Sequence, residues 1–235
     1  KEISVKYIRD NTTITTSIKP IKNSGNQYKI GLWVRDAAAG VGTLTFYEPS
    51  SGMFGTLGHG IPDVDTSELI KIANGELVTT NILNITKGKK GDPGEIRGTI
   101  ESGHTIGNID KNTSFGVFGT LNKTPYINIQ NNDEIEVALR EEIKIEDAQI
   151  ICELENGKRE KYNIKIQKVF LNNNKDNKSM LIKITDEKLL EKTGGIPIIQ
   201  NGKFIGAVTH VLVNDPTIGY GVFADIMIKQ MREVK

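Results

Sequence analysis

The chain has 235 residues, with 30 Lys and Arg against 29 Asp and Glu. This balance excludes a strongly charged surface, so neither nucleic acid nor a membrane surface is the expected partner. The single cysteine, Cys152, excludes an internal disulfide. The apolar runs are too short for a membrane span or a signal peptide, so any membrane anchor is expected upstream of Lys1.

Short strand-like runs alternate with turns along most of the chain. Strands are predicted at residues 3–9, 13–19, 30–34, 43–47, 76–83, 95–100, 114–120, 150–154, 162–166, 180–184 and 204–208. Asn-Gly pairs at 156–157 and 201–202 predict two hairpins. A short helical segment is predicted from residue 186 to 192, and a longer helix from 224 to 233. With 24 glycines and no βα alternation, the pattern predicts an all-β protein, either a barrel or a sandwich.

The stretch 54–61, Phe-Gly-Thr-Leu-Gly-His-Gly-Ile, contains the best catalytic candidate. His59 is one of only three histidines and stands between two glycines. Flanking glycines allow a sharp turn and leave the imidazole uncovered. A side chain that titrates near neutral pH at such a turn is a candidate general base. A histidine that only forms a hydrogen bond in a tight turn is the alternative.

Asp186 is the candidate partner that would fix the tautomer of His59. It follows the predicted strand 180–184 and opens the short helical segment. Capping the free N–H groups of that segment is the alternative role of this carboxylate.

The remaining polar candidates have weaker signals. His210 follows a predicted strand and is either catalytic or a structural histidine packed on Tyr220 or Trp33. Asp215 precedes a proline and is predicted to be a turn residue. Two further candidates, His104 and Asp110, are predicted to have surface roles in a polar connection between strands.

Thiolate and metal chemistry have little support. Cys152 lies in a predicted strand without a basic neighbour, which argues against a thiolate nucleophile. His59, Asp63 and Asp65 lack the spacing of a known metal motif, so no metal or other cofactor is predicted.

Several motifs, in order along the whole chain, resemble the SpoIVB peptidase family. They include GLWVRD at 31–36, GVGTLTF at 40–46, LGHGI at 57–61, GEIRG at 94–98, ITD at 184–186, TGGI at 193–196, PIIQNGK at 197–203, GAVTHV at 206–211 and NDPT at 214–217. The resemblance implies a chymotrypsin-like double β-barrel with short helices, one of them at the C-terminus. It implies a single peptidase domain, residues 1–235, of two lobes that meet near residues 110–135.

The resemblance also implies a function and a place. The family consists of serine endopeptidases of endospore-forming bacteria that act between the two forespore membranes. They cleave a protein substrate and signal activation of a late sigma factor. The family's catalytic histidine corresponds to His59 and its aspartate to Asp186. The expected partners are a protein or peptide substrate, including a membrane-bound sporulation regulator, and membrane contact is expected only through an upstream anchor.

One departure from the family pattern concerns the nucleophile. In the family, TGGI continues into Gly-Met-Ser-Gly-Ser-Pro, whose first serine attacks the substrate, but here Ile196 is followed directly by Pro197. Neither Ser51 nor Ser114 stands in such a context. Three explanations stay open: a loop that belongs to the protein but is missing from this sequence, a deliberate deletion, and a natural pseudoenzyme that only binds. The first is favoured because the family pattern continues up to the junction on both sides.

Overall fold

The computed structural model describes residues 1–32, 38–86, 89–91, 95–122, 134–155, 158–172, 175–186 and 195–233. The chain forms two compact units, Lys1–Gly40 and Val41–Lys235. The first unit contains an antiparallel pair, β1 (Ile3–Arg9) and β2 (Thr12–Ile18), and a short pair, β3 (Ile21–Lys22) and β4 (Tyr28–Lys29). Asp10 and Asn11, with φ of 50° and 58°, form the tight turn between β1 and β2.

The second unit begins with an open antiparallel sheet of five strands. The strands are β5 (Leu44–Tyr47), β6 (Met53–Thr56), β7 (Gly75–Thr86), β8 (Glu95–Thr113) and β9 (Gly116–Leu121). Their order in the sheet is β5-β6-β9-β8-β7. The sheet therefore brings the end of β6, just before His59, next to the hairpin that joins β8 to β9.

Six further strands close into a barrel. They are β10 (Asp147–Glu155), β11 (Lys158–Val169), β12 (Met180–Ile184), β13 (Pro197–Gln200), β14 (Lys203–Leu212) and β15 (Asp215–Phe223). Their order is β10-β11-β12-β15-β14-β13, and pairing of β13 with β10 closes the ring. Helix α1 (Ala224–Arg232) follows directly and packs against β6, β9, β14 and β15. The predicted all-β class with two β-lobes and a C-terminal helix is confirmed: among the described residues one lobe is a closed barrel and the other an open, half-barrel sheet.

Side-chain alternation explains why β11 lies in the barrel wall. Tyr162, Ile164 and Ile166 are buried, while the residues between them are exposed. By contrast, β14 is buried at every position from Phe204 to Thr209. A strand that is covered on both faces is continuously buried. The second cover of β14 includes the turn that carries His59, described below.

Most predicted strands are confirmed, but two predictions fail. The run 30–34 is not a strand at residues 30–32, and residues 33–34 lie outside the described ranges. The polar connection predicted between residues 100 and 114 is wrong, because β8 is extended as far as Thr113 and carries both His104 and Asp110. The turn at 156–157 and the helical segment after Asp186 lie outside the described residues.

None of the helices within the described ranges is both long and apolar enough to cross a membrane.

The buried hydroxyl of Tyr162 predicts a loss of stability in alkali. Burial raises the pKa of Tyr162, and the hydrogen bond that its hydroxyl donates to Glu160 Oε2 (2.8 Å) adds to the shift. Above about pH 10 the unfolded chain releases this proton and the folded chain keeps it, so stability falls by up to about 1.4 kcal/mol per pH unit. In urea titrations between pH 8 and pH 11, Tyr162→Phe is expected to lose less stability than the wild type. Equal losses in the two proteins would contradict this role.

Candidate active site

A strained turn after β6 presents His59. Leu57 and Gly58 both have left-handed backbones, with φ of 66° and 64°. Such a φ costs a non-glycine residue about 1 kcal/mol or more, and backbone strain of this kind is concentrated at functional sites. A Cβ on Gly58 would lie 3.1 Å from Thr209 Cγ2 and 3.3 Å from Val222 Cγ1. The turn therefore packs closely on β14 and β15, and a side chain at position 58 would crowd both strands in a backbone conformation that favours glycine.

The imidazole of His59 has a defined hydrogen-bond partner. Its Nδ1 lies 2.9 Å from the carbonyl oxygen of Gly60. Because a carbonyl oxygen can only accept, Nδ1 carries the hydrogen, and Nε2 keeps its lone pair when the ring is neutral. The ring is half-buried. This is the tautomer that a general base acting through Nε2 requires.

A second histidine lies against the first. The rings of His59 and His210 are tilted by 38°, with centroids 5.4 Å apart. His210 lies within β14, is exposed, and is opposite Tyr220 of β15 in the strand register. The sequence predicts His210 to be either catalytic or a structural residue packed on Tyr220 or Trp33. Its ring contact with His59 has no signature in the sequence.

Asn177 connects the loop before β12 to the His59 turn. Its Nδ2 donates to the carbonyl oxygens of Gly58 (3.3 Å) and Ser114 (3.1 Å). The hydroxyl of Thr209 donates to the carbonyl oxygen of Asn177 at 3.1 Å. These bonds join the first sheet, the barrel and the turn, so the backbone around His59 is held from three sides.

The junction of Ile196 and Pro197, where the resemblance implies a nucleophile loop, lies beside this turn. Gly195 N donates to Val208 O (2.7 Å), and Val208 N donates to Ile196 O (2.9 Å). A Cβ on Gly195 would lie 2.7 Å from the backbone N and Cα of Leu57. Since Pro197 is opposite Ala207 in the register, a loop inserted after Ile196 would leave the barrel close to His59.

Asp186 follows the C-terminal end of β12, whereas the loop of Asn177 precedes the N-terminal end of that strand. Thr185 still pairs with β11, because both its N and its Oγ1 donate to Asn163 O (3.2 and 2.9 Å). The register of β12, β15 and β14 places Leu181 level with His210. Asp186 is five residues further, or about 16 Å along an extended strand. Its carboxylate is among the charges that raise the pKa of Tyr162, after burial and Glu160. Its role as partner of His59 stays a prediction.

Several other polar candidates have structural roles. Asp215 Oδ1 accepts from Thr217 N (3.1 Å) and Oγ1 (2.6 Å), and these bonds lower the pKa of Asp215. Asp63 Oδ1 accepts from the backbone N of both Asp65 and Thr66 and so closes a turn. Cys152 is buried in β10.

The two serines set aside as nucleophiles lie in turns of the first sheet. Ser51 Oγ donates to Glu48 Oε2 at 2.7 Å, between β5 and β6. Ser114 is exposed in the turn that joins β8 to β9. Within the described residues, no group of three or more His, Cys, Asp or Glu side chains is placed to hold a metal ion.

Comparison with known proteins identifies the family. The SpoIVB peptidase S55 model matches residues 26–228. No curated protein matches the chain. Four chains among the solved structures match it, and one is the crystal structure of the Rv3671c protease from M. tuberculosis in its active form. That match has 12% sequence identity and a TM-score of 0.41 and covers 87% of this chain and 94% of that chain. The match to the S55 model spans most of the sequence, and this chain therefore belongs to the SpoIVB peptidase S55 family.

Proposed function

We propose that this fold is the catalytic domain of a serine endopeptidase of endospore formation, with His59 as the general base. The nucleophile serine would come from a loop that enters between Ile196 and Pro197. One observation carries the proposal: the turn that presents His59 packs against Val208 and Thr209, and Val208 is the residue that pairs with Ile196 at the junction. A base and the expected origin of its nucleophile are thus neighbours.

The chemistry follows from the tautomer of His59. Its Nε2 would take the proton of the serine hydroxyl as the serine oxygen bonds to the scissile carbonyl carbon. The same nitrogen would then give that proton to the leaving amine as the C–N bond breaks. Backbone N–H groups of the inserted loop would stabilise the oxyanion. By resemblance, Asp186 would orient the imidazole and stabilise its charged form in the enzyme that contains the inserted loop.

The biological setting rests on the family. We propose that the substrate is a protein located between the forespore membranes, and that its cleavage leads to activation of a late sigma factor. The near-neutral net charge of +1 agrees with a protein partner rather than nucleic acid. Attachment to a membrane would require an upstream anchor.

A second function is favoured by the junction itself. The chain passes from Ile196 to Pro197 with strand pairing on both sides, and Ile196 is fully buried. A chain that keeps this form has no nucleophile, and it would act as a pseudopeptidase or binding module that holds a peptide without cutting it.

The test of the proposal restores the loop. Gly-Met-Ser-Gly-Ser is inserted between Ile196 and Pro197, and the protein is treated with a fluorophosphonate, which modifies only activated serines. We expect covalent labelling and peptide hydrolysis by the loop-restored chain. The chain as it stands, and an insertion with alanine in place of the first serine, are expected to show neither.

Two results would decide against the enzyme. A loop-restored chain that folds, as judged by circular dichroism, and is not labelled would remove the support for the serine mechanism. A peptide map of the protein from its natural source that joins Ile196 directly to Pro197 would leave the binding module as its function.

A further inference from the structure

Asn112 holds the backbone next to His59 from a strand that is distant in sequence. It lies near the end of β8, 51 residues after Ile61. Its Oδ1 accepts from Ile61 N at 2.9 Å, and its Nδ2 donates to Ile61 O at 2.8 Å and to Ile70 O at 3.0 Å. Two carbonyl oxygens on one side of the amide and an N–H on the other fix its orientation. The side chain thus clamps both backbone groups of Ile61.

One of these bonds acts on the peptide unit that orients His59. The peptide group between Gly60 and Ile61 consists of the carbonyl of Gly60 and the N–H of Ile61. The carbonyl accepts the hydrogen of His59 Nδ1, and the N–H donates to Asn112 Oδ1. A continuous chain of hydrogen bonds therefore runs from the imidazole through one peptide group to Asn112. Bonds in such a chain polarise one another, so each strengthens the next.

The same peptide cannot easily move away. A Cβ on Gly60 would lie 2.4 Å from Thr113 O and 2.3 Å from Leu69 Cδ2, so the backbone passes directly against the end of β8. Ile61 O also accepts from Ile70 N at 3.0 Å. Asn112 thus belongs to a closely packed group of residues that holds the backbone next to His59.

We propose that Asn112 is a positioning residue that orients His59 through the peptide group between Gly60 and Ile61. This inference rests on the proposed function, because orientation matters only if His59 acts as a base. The peptide carbonyl performs one task of a triad aspartate, since it keeps the hydrogen on Nδ1 and leaves Nε2 free to take a proton. It has no full charge, so it stabilises the imidazolium less than a carboxylate would.

The test reads the tautomer of His59 in the chain as it stands, by nitrogen NMR of the imidazole at pH 9. In the wild type we expect the Nδ1–H form to be favoured about fivefold by its hydrogen bond. Asn112→Ala should reduce this ratio by about 1.5-fold, because the bond from Nδ1 to Gly60 O remains and loses only the strengthening that Asn112 adds. Asn112→Asp keeps an acceptor for Ile61 N but replaces the donor to Ile61 O and Ile70 O by a carboxylate oxygen, so it should not restore the ratio. Asn108→Ala, an exposed asparagine on the same strand, should leave the ratio unchanged.

Asp186→Asn separates this proposal from the triad expected by resemblance. If the peptide group orients His59, this change leaves the tautomer ratio as it is. A ratio that responds to Asp186→Asn and not to Asn112→Ala would overturn the proposal, as would a wild-type ring that carries its hydrogen on Nε2. If Asn112→Ala does not fold, the wild-type tautomer and its response to Asp186→Asn decide. The tautomer measurement needs no nucleophile. A negative result would therefore contradict the role of Asn112, whereas an absence of fluorophosphonate labelling would contradict the proposed enzyme activity.

Discussion

In the loop-restored chain, His59→Ala is expected to lower kcat/KM for peptide hydrolysis by about 10³- to 10⁴-fold. General-base catalysis by a positioned histidine is worth about 10²- to 10⁴-fold, and loss of the base also leaves the serine without its proton acceptor. The structure supports the upper part of this range, because the hydrogen bond to Gly60 O leaves Nε2 as the acceptor. The measurement is hydrolysis of a peptide substrate together with the rate of fluorophosphonate labelling.

His104→Ala is the matched control. His104 lies in the middle of β8, well before the end of the strand that passes Gly60, and we expect its removal to change kcat/KM by less than about twofold, since the general-base contribution is local to the reacting atoms. An active loop-restored enzyme that keeps its rate after His59→Ala would contradict the assignment of the base. If the enzyme kept its rate after His59→Ala and lost it after His104→Ala, the active site would lie elsewhere on the sheet.

Local turn chemistry made much of the barrel predictable. Asn201 and Gly202 have φ of 50° and 77°, the left-handed pair that a two-residue hairpin requires. The hairpin of β13 and β14 is formed where the Asn-Gly pair predicts it. The strict alternation from Tyr162 to Ile166 likewise predicts the buried face of β11. These signals depend only on neighbouring residues, so they predict the hairpin and the buried face without knowledge of the tertiary contacts.

The long strand β8 shows where such signals end. Residues 101–113 are mostly polar, and a polar run indicates a connection when hydrophobic alternation is the only guide. In the structure this run pairs with β7 at residues 105 and 107–109 and with β9 at 107–109 and 111–113, so backbone pairing holds extended a run with few apolar residues. Sequence patterning reports burial, and a strand with little buried surface leaves only a weak pattern.

The candidate site was predictable only in part, because sequence patterns do not report contacts between residues that are distant along the chain. Glycines on both sides of His59 predict an uncovered imidazole at a turn, and the structure presents it on such a turn with the ring half-buried. Its partners in the structure are a backbone carbonyl and His210. A backbone carbonyl has no residue type to recognise, and Asn112 is too far along the chain for any spacing rule to connect it with Ile61.

Phe118→Ala is expected to destabilise the fold by about 3–5 kcal/mol, the cost of removing a large aromatic side chain from a packed core. Phe118 is completely buried on β9 and is opposite Gly55 of β6 in the register. Its ring and that of Phe46 fill the space that Gly55 leaves open, since a Cβ there would lie 2.7 Å from Phe46 Cε1 and 3.2 Å from Phe118 Cε1. The measurement is the free energy of unfolding in urea.

The loss should also reach the active site, because Gly55 is four residues before His59 and the two share the course of β6 into the turn. At a urea concentration where Phe118→Ala is still mostly folded, we expect the His59 ring signals to broaden or shift. Leu83→Ala is the control: this side chain on β7 is 67% exposed, and its removal should cost less than about 0.5 kcal/mol. If Phe118→Ala cost no more stability than Leu83→Ala, β9 would not pack in the common core with α1 and the barrel. The packing that supports the His59 turn would then have to come from other residues.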